Sequence, residues 1–364
     1  MIVPCELVRV VSVLRKKGVY GLRGIARPRL LVGLCFLLGL SLLLAACGGG
    51  AGGSSGGGGD GGGMSGKIAI EGSSTVYPIT TRVSDEFSQE NPDVDISVGD
   101  AGTSEGFEAF CKGETDISDA SRPIEAEEIQ ACKDGGVEYI ELPIGLDGVS
   151  VVVNAQNDFA TDITLEELDK LWGLDSDVST WKQVRSEWPD QPIELYGPGT
   201  ESGTFDFFTE TVTGEEGASR SDYNASGDDN QLVQGVSGDP NALGYFGYAY
   251  YAENTDTLKA LDVDGVPVKP ETIISREYPL SRPLFMYVST KALKENKAVE
   301  PFVSYYIEPG DLTSFVEDSE YVAFPESIQS ETQKQFEDRT TGTIYTADGE
   351  LPGGDFETAL KKSQ

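Results

Sequence analysis

Three short stretches set hydroxyl residues and glycine directly ahead of an amphipathic run: Gly72-Ser73-Ser74-Thr75, Gly102-Thr103-Ser104, and Thr200 with Ser202-Gly203-Thr204. The third is the densest. Residues 197–208 read GPGTESGTFDFF, with three glycines, two threonines and one serine. A helix N-terminus presents unpaired N–H groups and the positive end of the helix dipole, so it attracts anions. Glycine lets the backbone approach a ligand closely. One such turn is an ordinary N-cap. Three of them, each following a strand, lie where ligands of open α/β sheets bind. None contains Gly-Lys-Ser/Thr, so a nucleotide is not indicated. A fourth element is DASRPI, in which Ser121 and Arg122 follow a strand end. Arginine offers a planar fork of donors suited to oxyanions, although a lone arginine in so acidic a chain would as readily pair with a surface carboxylate. Together these parts suit a small, dehydrated, tetrahedral oxyanion.

The elements that must position these turns follow from periodicity. Ile68–Ile70 reads as a strand, and Val76, Ile79, Val83 and Phe87 fall at helical spacing. VDISVGD is the next strand, completing a β-turn-α-β unit. AGTSEGFEAFCKGE repeats the design with Phe107 and Phe110 on a helix. VEYIELPIGLDGVSVVVN predicts two strands, and ITLEELDKLW a helix capped by Thr164 with Glu167 at N3. NALGYFGYAYY and YPLSRPLFMYV read as strands, and AVEPFVSYYI as a late helix. The aromatics of GYFGYAYY are expected in the core rather than on a sugar-stacking surface. Trp172, Trp181 and Trp188 are likewise expected to pack. The alternation predicts an α/β fold with mostly parallel sheets. Close to 300 residues after the N-terminal region make two lobes, and no composition shift separates them.

Composition narrows the function. The 27 basic and 61 acidic residues give a net charge of −34, spread along the chain. Such a surface repels nucleic acid and anionic lipid. Histidine is absent, which removes Ser-His-Asp and Cys-His catalysis and histidine-ligated zinc, but not chemistry through carboxylates or lysine. Arg15, Lys16, Lys17, Arg23, Arg27 and Arg29 precede the apolar run LLVGLCFLLGLSLLLAAC at 30–47. Its end, Leu44-Ala45-Ala46-Cys47, has the pattern of a bacterial lipoprotein signal: residues 1–46 are removed and Cys47 is acylated. An uncleaved anchor helix is the alternative. Residues 47–66 are dominated by glycine and form a flexible tether of about 25 Å mean reach. Cys111 and Cys132 remain as a pair in an exported protein and are expected to form a disulfide worth about 3 kcal/mol in the chain-entropy model, with two buried thiols as the alternative.

In order, IEGSSTVYPI, AGTSEGF, DISDASRPI, ITLEELDKLW, GPGTESGTFDFF and YPLSRPLFMY resemble the periplasmic phosphate-binding proteins of high-affinity phosphate ABC transporters, from about Lys67 to the C-terminus. The resemblance implies a two-lobed, type II periplasmic-binding-protein fold of the Venus-flytrap kind. Lobe 1 would hold 67–145 and 283–364 and lobe 2 would hold 146–282. The chain would cross near Gly145–Ser150 and Tyr278–Pro283. It implies a monomer without catalytic residues, cofactor or metal, held at the outer face of the cytoplasmic membrane and delivering inorganic phosphate to a permease and its ATPase. The implied ligand set is Ser74, Thr75 and Val76; Thr103 and Ser104; Ser121 and Arg122; and Ser202, Gly203 and Thr204. The family's arginine before Ser-Gly-Thr is here Pro198, which hands the guanidinium role to Arg122. Longer members of the family also have, near the position of Ser121, an aspartate that accepts the ligand proton and rejects sulfate. Candidate replacements are Asp147, Asp119 and Glu201, with Asp147 preferred. Another oxyanion, such as sulfate or molybdate, is the rival ligand. A phosphatase using Ser202 would lack a histidine base and the Gly-x-Ser-x-Gly elbow. A sensor that has kept the fold is a further alternative.

Overall fold

The computed structural model describes residues 64–200, 202–346 and 349–363. The signal sequence, Cys47, most of the tether and Glu201 lie outside the described residues. The strands are β1 (Gly66–Gly72), β2 (Val94–Val98), β3 (Ile117–Ala120), β4 (Tyr139–Asn154), β5 (Asp162–Ile163), β6 (Glu194–Pro198), β7 (Asn224–Ser226), β8 (Ala242–Gly247), β9 (Leu258–Ala260), β10 (Asp262–Val263) and β11 (Ser281–Ser289). The first eight helices are α1 (Tyr77–Glu90), α2 (Thr103–Cys111), α3 (Ala126–Gly135), α4 (Leu165–Trp172), α5 (Trp181–Val184), α6 (Gly203–Thr213), α7 (Asp229–Gly238) and α8 (Tyr248–Glu253). They are followed by α9 (Pro270–Ile274), α10 (Thr290–Glu295), α11 (Val299–Tyr306), α12 (Asp311–Glu317), α13 (Glu326–Glu337) and α14 (Phe356–Ser363).

The principal sheet runs β2-β1-β3-β11-β4-β8-β6-β7, with β9 also on β4. It is mixed rather than mostly parallel. β1–β2, β1–β3, β6–β7 and β6–β8 are parallel, whereas β3–β11, β11–β4, β4–β8 and β4–β9 are antiparallel. β4 and β11 are the cause, since they run through the middle against their neighbours. β4 pairs β11 as far as Gly148 and then pairs β8 from Val149. One strand thus belongs to both halves of the sheet.

The expected pair of strands over VEYIELPIGLDGVSVVVN is one strand of 16 residues, buried along its length. The glycines of this stretch serve close packing. A Cβ on Gly148 would stand 2.6 Å from Ile273 Cδ1, and one on Gly145 would stand 3.0 Å from Val316. A register shift at Leu284/Phe285 accommodates the extra residue as a β-bulge. NALGYFGYAYY also departs from expectation. It is a strand only to Gly247, and Tyr248 opens the short helix α8. Tyr245 and Phe246 are core, but the later tyrosines are half-buried. Gly66, assigned to the tether, is already in β1 and pairs Val94.

The helices expected from local signals, α1, α2, α4, α6 and α11, are all present. Thr164 accepts from the Glu167 amide and Glu167 reaches back, a complete capping box. Trp172 and Trp181 are fully buried and Trp188 nearly so. The structure joins Cys111 at the end of α2 to Cys132 of α3 as a disulfide. Among the described residues no helix is long and apolar enough to cross a membrane, and no cluster of side chains could hold a metal ion.

Candidate functional site

β1, β2 and β6 each end at a turn that opens α1, α2 and α6 respectively. These turns, with the loop after β3, converge on one cavity of about 600 Å³. Ser74 and Thr75 line it from the first turn, Thr103 and Ser104 from the second, Ser121 and Arg122 from the loop, and Thr200 from the third turn.

The first turn is largely self-satisfied. The Ser73 amide donates to the Asp119 carbonyl, the Thr75 amide to Ser73 Oγ, and the Val76 amide to the Ser73 carbonyl. Val76 is fully buried as the N-cap of α1. Its N–H closes the turn and does not face the cavity.

At α6, Ser202 is the N-cap and accepts from the Thr204 amide at 3.2 Å. Gly203 makes the close approach that only glycine permits. A Cβ there would fall 2.2 Å from Thr75 Oγ1. The N-terminus of α6 therefore sits directly against the first turn.

The centre of the site is Arg282, which the sequence reading did not assign. It lies on β11 directly opposite Asp147 of β4. Its Nε donates to Asp147 Oδ2 at 3.2 Å, Nη1 to Ser121 Oγ at 3.1 Å, and Nη2 to both Thr75 Oγ1 and the Gly203 carbonyl at 2.7 Å. Its guanidinium carbon is 4.3 Å from the centroid of the Phe207 ring. A hydroxyl has one proton and two acceptor lone pairs. Arg282 occupies lone pairs on Thr75 and Ser121, so the Thr75 proton remains free to be donated to an anion. Thr103 Oγ1 lies 3.2 Å from Ser121 Oγ and accepts from the Ser121 amide, which adds a third hydroxyl to the group.

Arg122 reaches the cavity wall, but its fork is closed. It makes a bidentate pair with Glu128 at 2.8 and 2.9 Å, and one Nη donates to Ser104 Oγ at 3.0 Å. Arg122 and Arg282 thus both stand in the cavity wall, the first with its fork taken by one carboxylate and the second with its donors spread over several groups. One signal was present in the sequence: Ser-Arg-Pro occurs twice, at 121–123 and 281–283.

Neither described candidate for the proton acceptor lines the cavity. Asp147 is sealed beneath Arg282. Burial raises its pKa and the Arg282 charge opposes that rise. Asp119 is buried beneath the first turn and accepts from Thr80 Oγ1 at 2.6 Å; burial pushes it up to about 7. The carboxylate that does line the cavity beside Arg282 is Asp206, in the first turn of α6. Burial pushes Asp206 up to about 6, with help from Glu216.

A family model described as the PBP superfamily domain matches residues 58–309. The chain belongs to this superfamily. It is 46% identical over 288 residues to protein SphX of Synechocystis sp., covering 77% of this chain and 85% of that protein. It is 41% identical over 304 residues to the phosphate-binding protein PstS of Staphylococcus haemolyticus, covering 82% and 93%. Among solved structures, a possible phosphate-binding protein from Planctomyces limnophilus superposes with a TM-score of 0.73 at 45% identity, covering 76% of this chain and 99% of that one. The fold is accordingly the two-lobed type II architecture of periplasmic binding proteins.

Proposed function

We propose that this chain is an extracytoplasmic receptor that binds inorganic phosphate between two lobes and passes it to an ABC importer. The observation that carries the reading is the convergence on Arg282 of groups from four separate elements: Thr75, Ser121, Gly203 and Asp147. Thr75 and one member of the hydrogen-bonded pair Ser121 and Thr103 have a hydroxyl proton for the anion, and Arg282 polarises Thr75 and Ser121 and supplies the charge. Ser74, Ser104 and Arg122 complete one wall. Ser202, Gly203 and Thr204 shape the N-terminus of α6 that closes the other. The chemistry is that of a holder: among the described residues of the cavity wall no hydroxyl is hydrogen-bonded to a carboxylate, and we read the chain as a receptor rather than an enzyme. Of the proteins named above, that of Staphylococcus haemolyticus is a phosphate-binding protein by name and that of Planctomyces limnophilus a possible one, which supports the ligand.

In this reading lobe 1 holds 67–145 and 283–364, and lobe 2 holds 146–282. β4 and the approach to β11 are the crossings. Acylation of Cys47 holds a monomeric receptor at the outer face of the membrane, and the permease docks its closed form. The test is calorimetric titration of the full chain in detergent with phosphate and then sulfate. Saturable binding of phosphate, undisturbed by sulfate, is expected. Equal or tighter sulfate binding overturns the ligand, and binding of neither overturns the receptor.

A further inference from the structure

The cavity wall carries charge of the wrong sign for an anion site. Among the described residues six carboxylates line it, Asp100, Glu105, Glu125, Asp206, Glu210 and Glu216, against the two guanidiniums of Arg122 and Arg282. Both guanidiniums are already paired, with Glu128 and Asp147. A divalent oxyanion entering this cleft meets uncompensated negative charge in partly desolvated space, where screening is weak. A metal ion is not an available remedy, since no cluster among the described residues could hold one. A proton is the remaining one.

The six carboxylates are not equivalent. Asp100, Glu105, Glu125, Glu210 and Glu216 are exposed, and water screens them. Asp206 alone is half-buried. It precedes Phe207, whose ring lies under the Arg282 guanidinium. The groups acting on it are Arg282 from β11, Glu210 one turn along α6, Glu216 from the segment after α6, and the Tyr245 hydroxyl from β8.

We infer that anion binding in this cleft is coupled to the uptake of a proton by Asp206. The inference rests on the phosphate reading above. Its physical basis is that a bound oxyanion adds negative charge beside a carboxylate that burial, Glu216 and Glu210 have already raised, against the opposing pull of Arg282. The sign follows. In the empty cleft Asp206 loses its proton as pH rises through about 6. In the filled cleft it keeps that proton to higher pH. Binding therefore takes up a proton above that point, and affinity falls as pH rises, by at most about tenfold per pH unit.

The experiment is calorimetric titration of the full chain in detergent with inorganic phosphate, from about pH 6 to about pH 8, the window in which the linkage acts. Each titration is run in two buffers of different ionisation enthalpy, which counts protons exchanged per phosphate. Phosphate titrates in the same window, so the comparison is with Asp206→Asn, which removes the share of Asp206 and leaves that of the ligand. The wild-type chain is expected to take up more protons than the variant, and its Kd is expected to rise relative to the variant's as pH increases. Equal proton counts with parallel pH profiles overturn the inference. So does loss of phosphate binding by Asp206→Asn at every pH, which would make Asp206 an obligatory charged acceptor. If the variant fails to fold, the wild-type count alone decides, since a count equal to the ligand's own titration overturns the inference and a larger one supports it. No phosphate binding by the wild-type chain at any pH overturns the receptor reading together with this inference, whereas binding with an unchanged count overturns this inference only.

Discussion

Ser121-Arg122-Pro123 and Ser281-Arg282-Pro283 are the same tripeptide in the same cavity wall, and their arginines do different work. Each guanidinium lies over a phenylalanine ring, Phe107 at 5.8 Å for Arg122 and Phe207 at 4.3 Å for Arg282. Beyond that they diverge. Arg122 stands on a loop, and the full carboxylate of Glu128 from α3 occupies its fork. Arg282 stands on a central strand, faces a single oxygen of Asp147, and spreads its remaining donors over Thr75, Ser121 and Gly203. A guanidinium saturated by one carboxylate is a structural clamp. One shared among hydroxyls and a carbonyl organises a binding site. The tripeptide does not decide which role follows; the neighbours supplied by the fold do.

The largest effect is expected from Arg282→Ala. It removes the charge and the fork at once and leaves the carboxylate of Asp147, only 1% exposed, without its partner. Breaking a buried pair from one side costs about 3 kcal/mol. Thermal unfolding should show that loss, and calorimetry should show no phosphate binding. Arg282→Ala with Asp147→Asn should recover stability but not binding. Recovery of binding in the double variant would place the anion's charge partner elsewhere and break the comparison. Gly203→Ala comes next. Its Cβ would overlap Thr75 Oγ1 and press on the Thr75 backbone at 3.0 Å. Overpacking of this kind costs about 1–3 kcal/mol, here concentrated where α6 meets the first turn. Phosphate Kd should rise roughly tenfold or more. An unchanged Kd would mean that the contact between Thr75 and α6 is not required for affinity.

Arg122→Ala should do less. Its ion pair with Glu128 is partly exposed, with side-chain exposures of 26% and 16%. Such pairs contribute about 0–1 kcal/mol, and Kd should change less than tenfold. A loss equal to that of Arg282→Ala would erase the difference between the two tripeptides.

The three strand-to-helix turns could be read from the sequence because each is local: hydroxyls and glycine, followed by a helical period, give the turn and its position together. The capping box at Thr164 and the burial of the tryptophans were legible for the same reason. Arg282 was not, because its partners lie at least 79 residues away along the chain, and nothing local distinguishes its tripeptide from that of Arg122. Asp206 was hidden in GTFDFF because a polar residue among phenylalanines reads as the solvent side of an amphipathic helix. Only the fold shows that this side faces the cavity. The continuous β4 was missed because its glycines resemble turn residues, and the side chains of Ile273 and Val316 that require them come from distant elements.

The smallest effect concerns what holds the Arg122 loop. The Ile124 amide donates to Tyr287 Oη at 2.9 Å, and Tyr287 donates onward to Glu141 Oε2 at 2.7 Å. Glu141 Oε1 accepts from the Ile344 amide at 2.9 Å. Tyr287 lies on β11 with Arg282, so one strand carries the central guanidinium and steadies the loop of the other. Burial pushes Glu141 up to about 7, against the donors that favour its charge. The folded state therefore holds a proton there that the unfolded chain releases near the ordinary glutamate range. The contribution of Glu141 is full at low pH and is lost as pH rises from about 4.3 toward 7, at no more than about 1.4 kcal/mol per pH unit. Glu141→Gln, compared with wild type by urea unfolding across that range, should show a flatter decline on the alkaline side. Tyr287→Phe removes a donor that favours the Glu141 charge, so it should carry the decline to higher pH and loosen the Ile124 loop, read as faster hydrogen exchange at that amide with phosphate Kd changed less than by Arg122→Ala. If Tyr287→Phe weakens binding more than Arg122→Ala does, the position of the loop matters more than the arginine it carries, and the Arg122 tripeptide is better described by its backbone than by its charge.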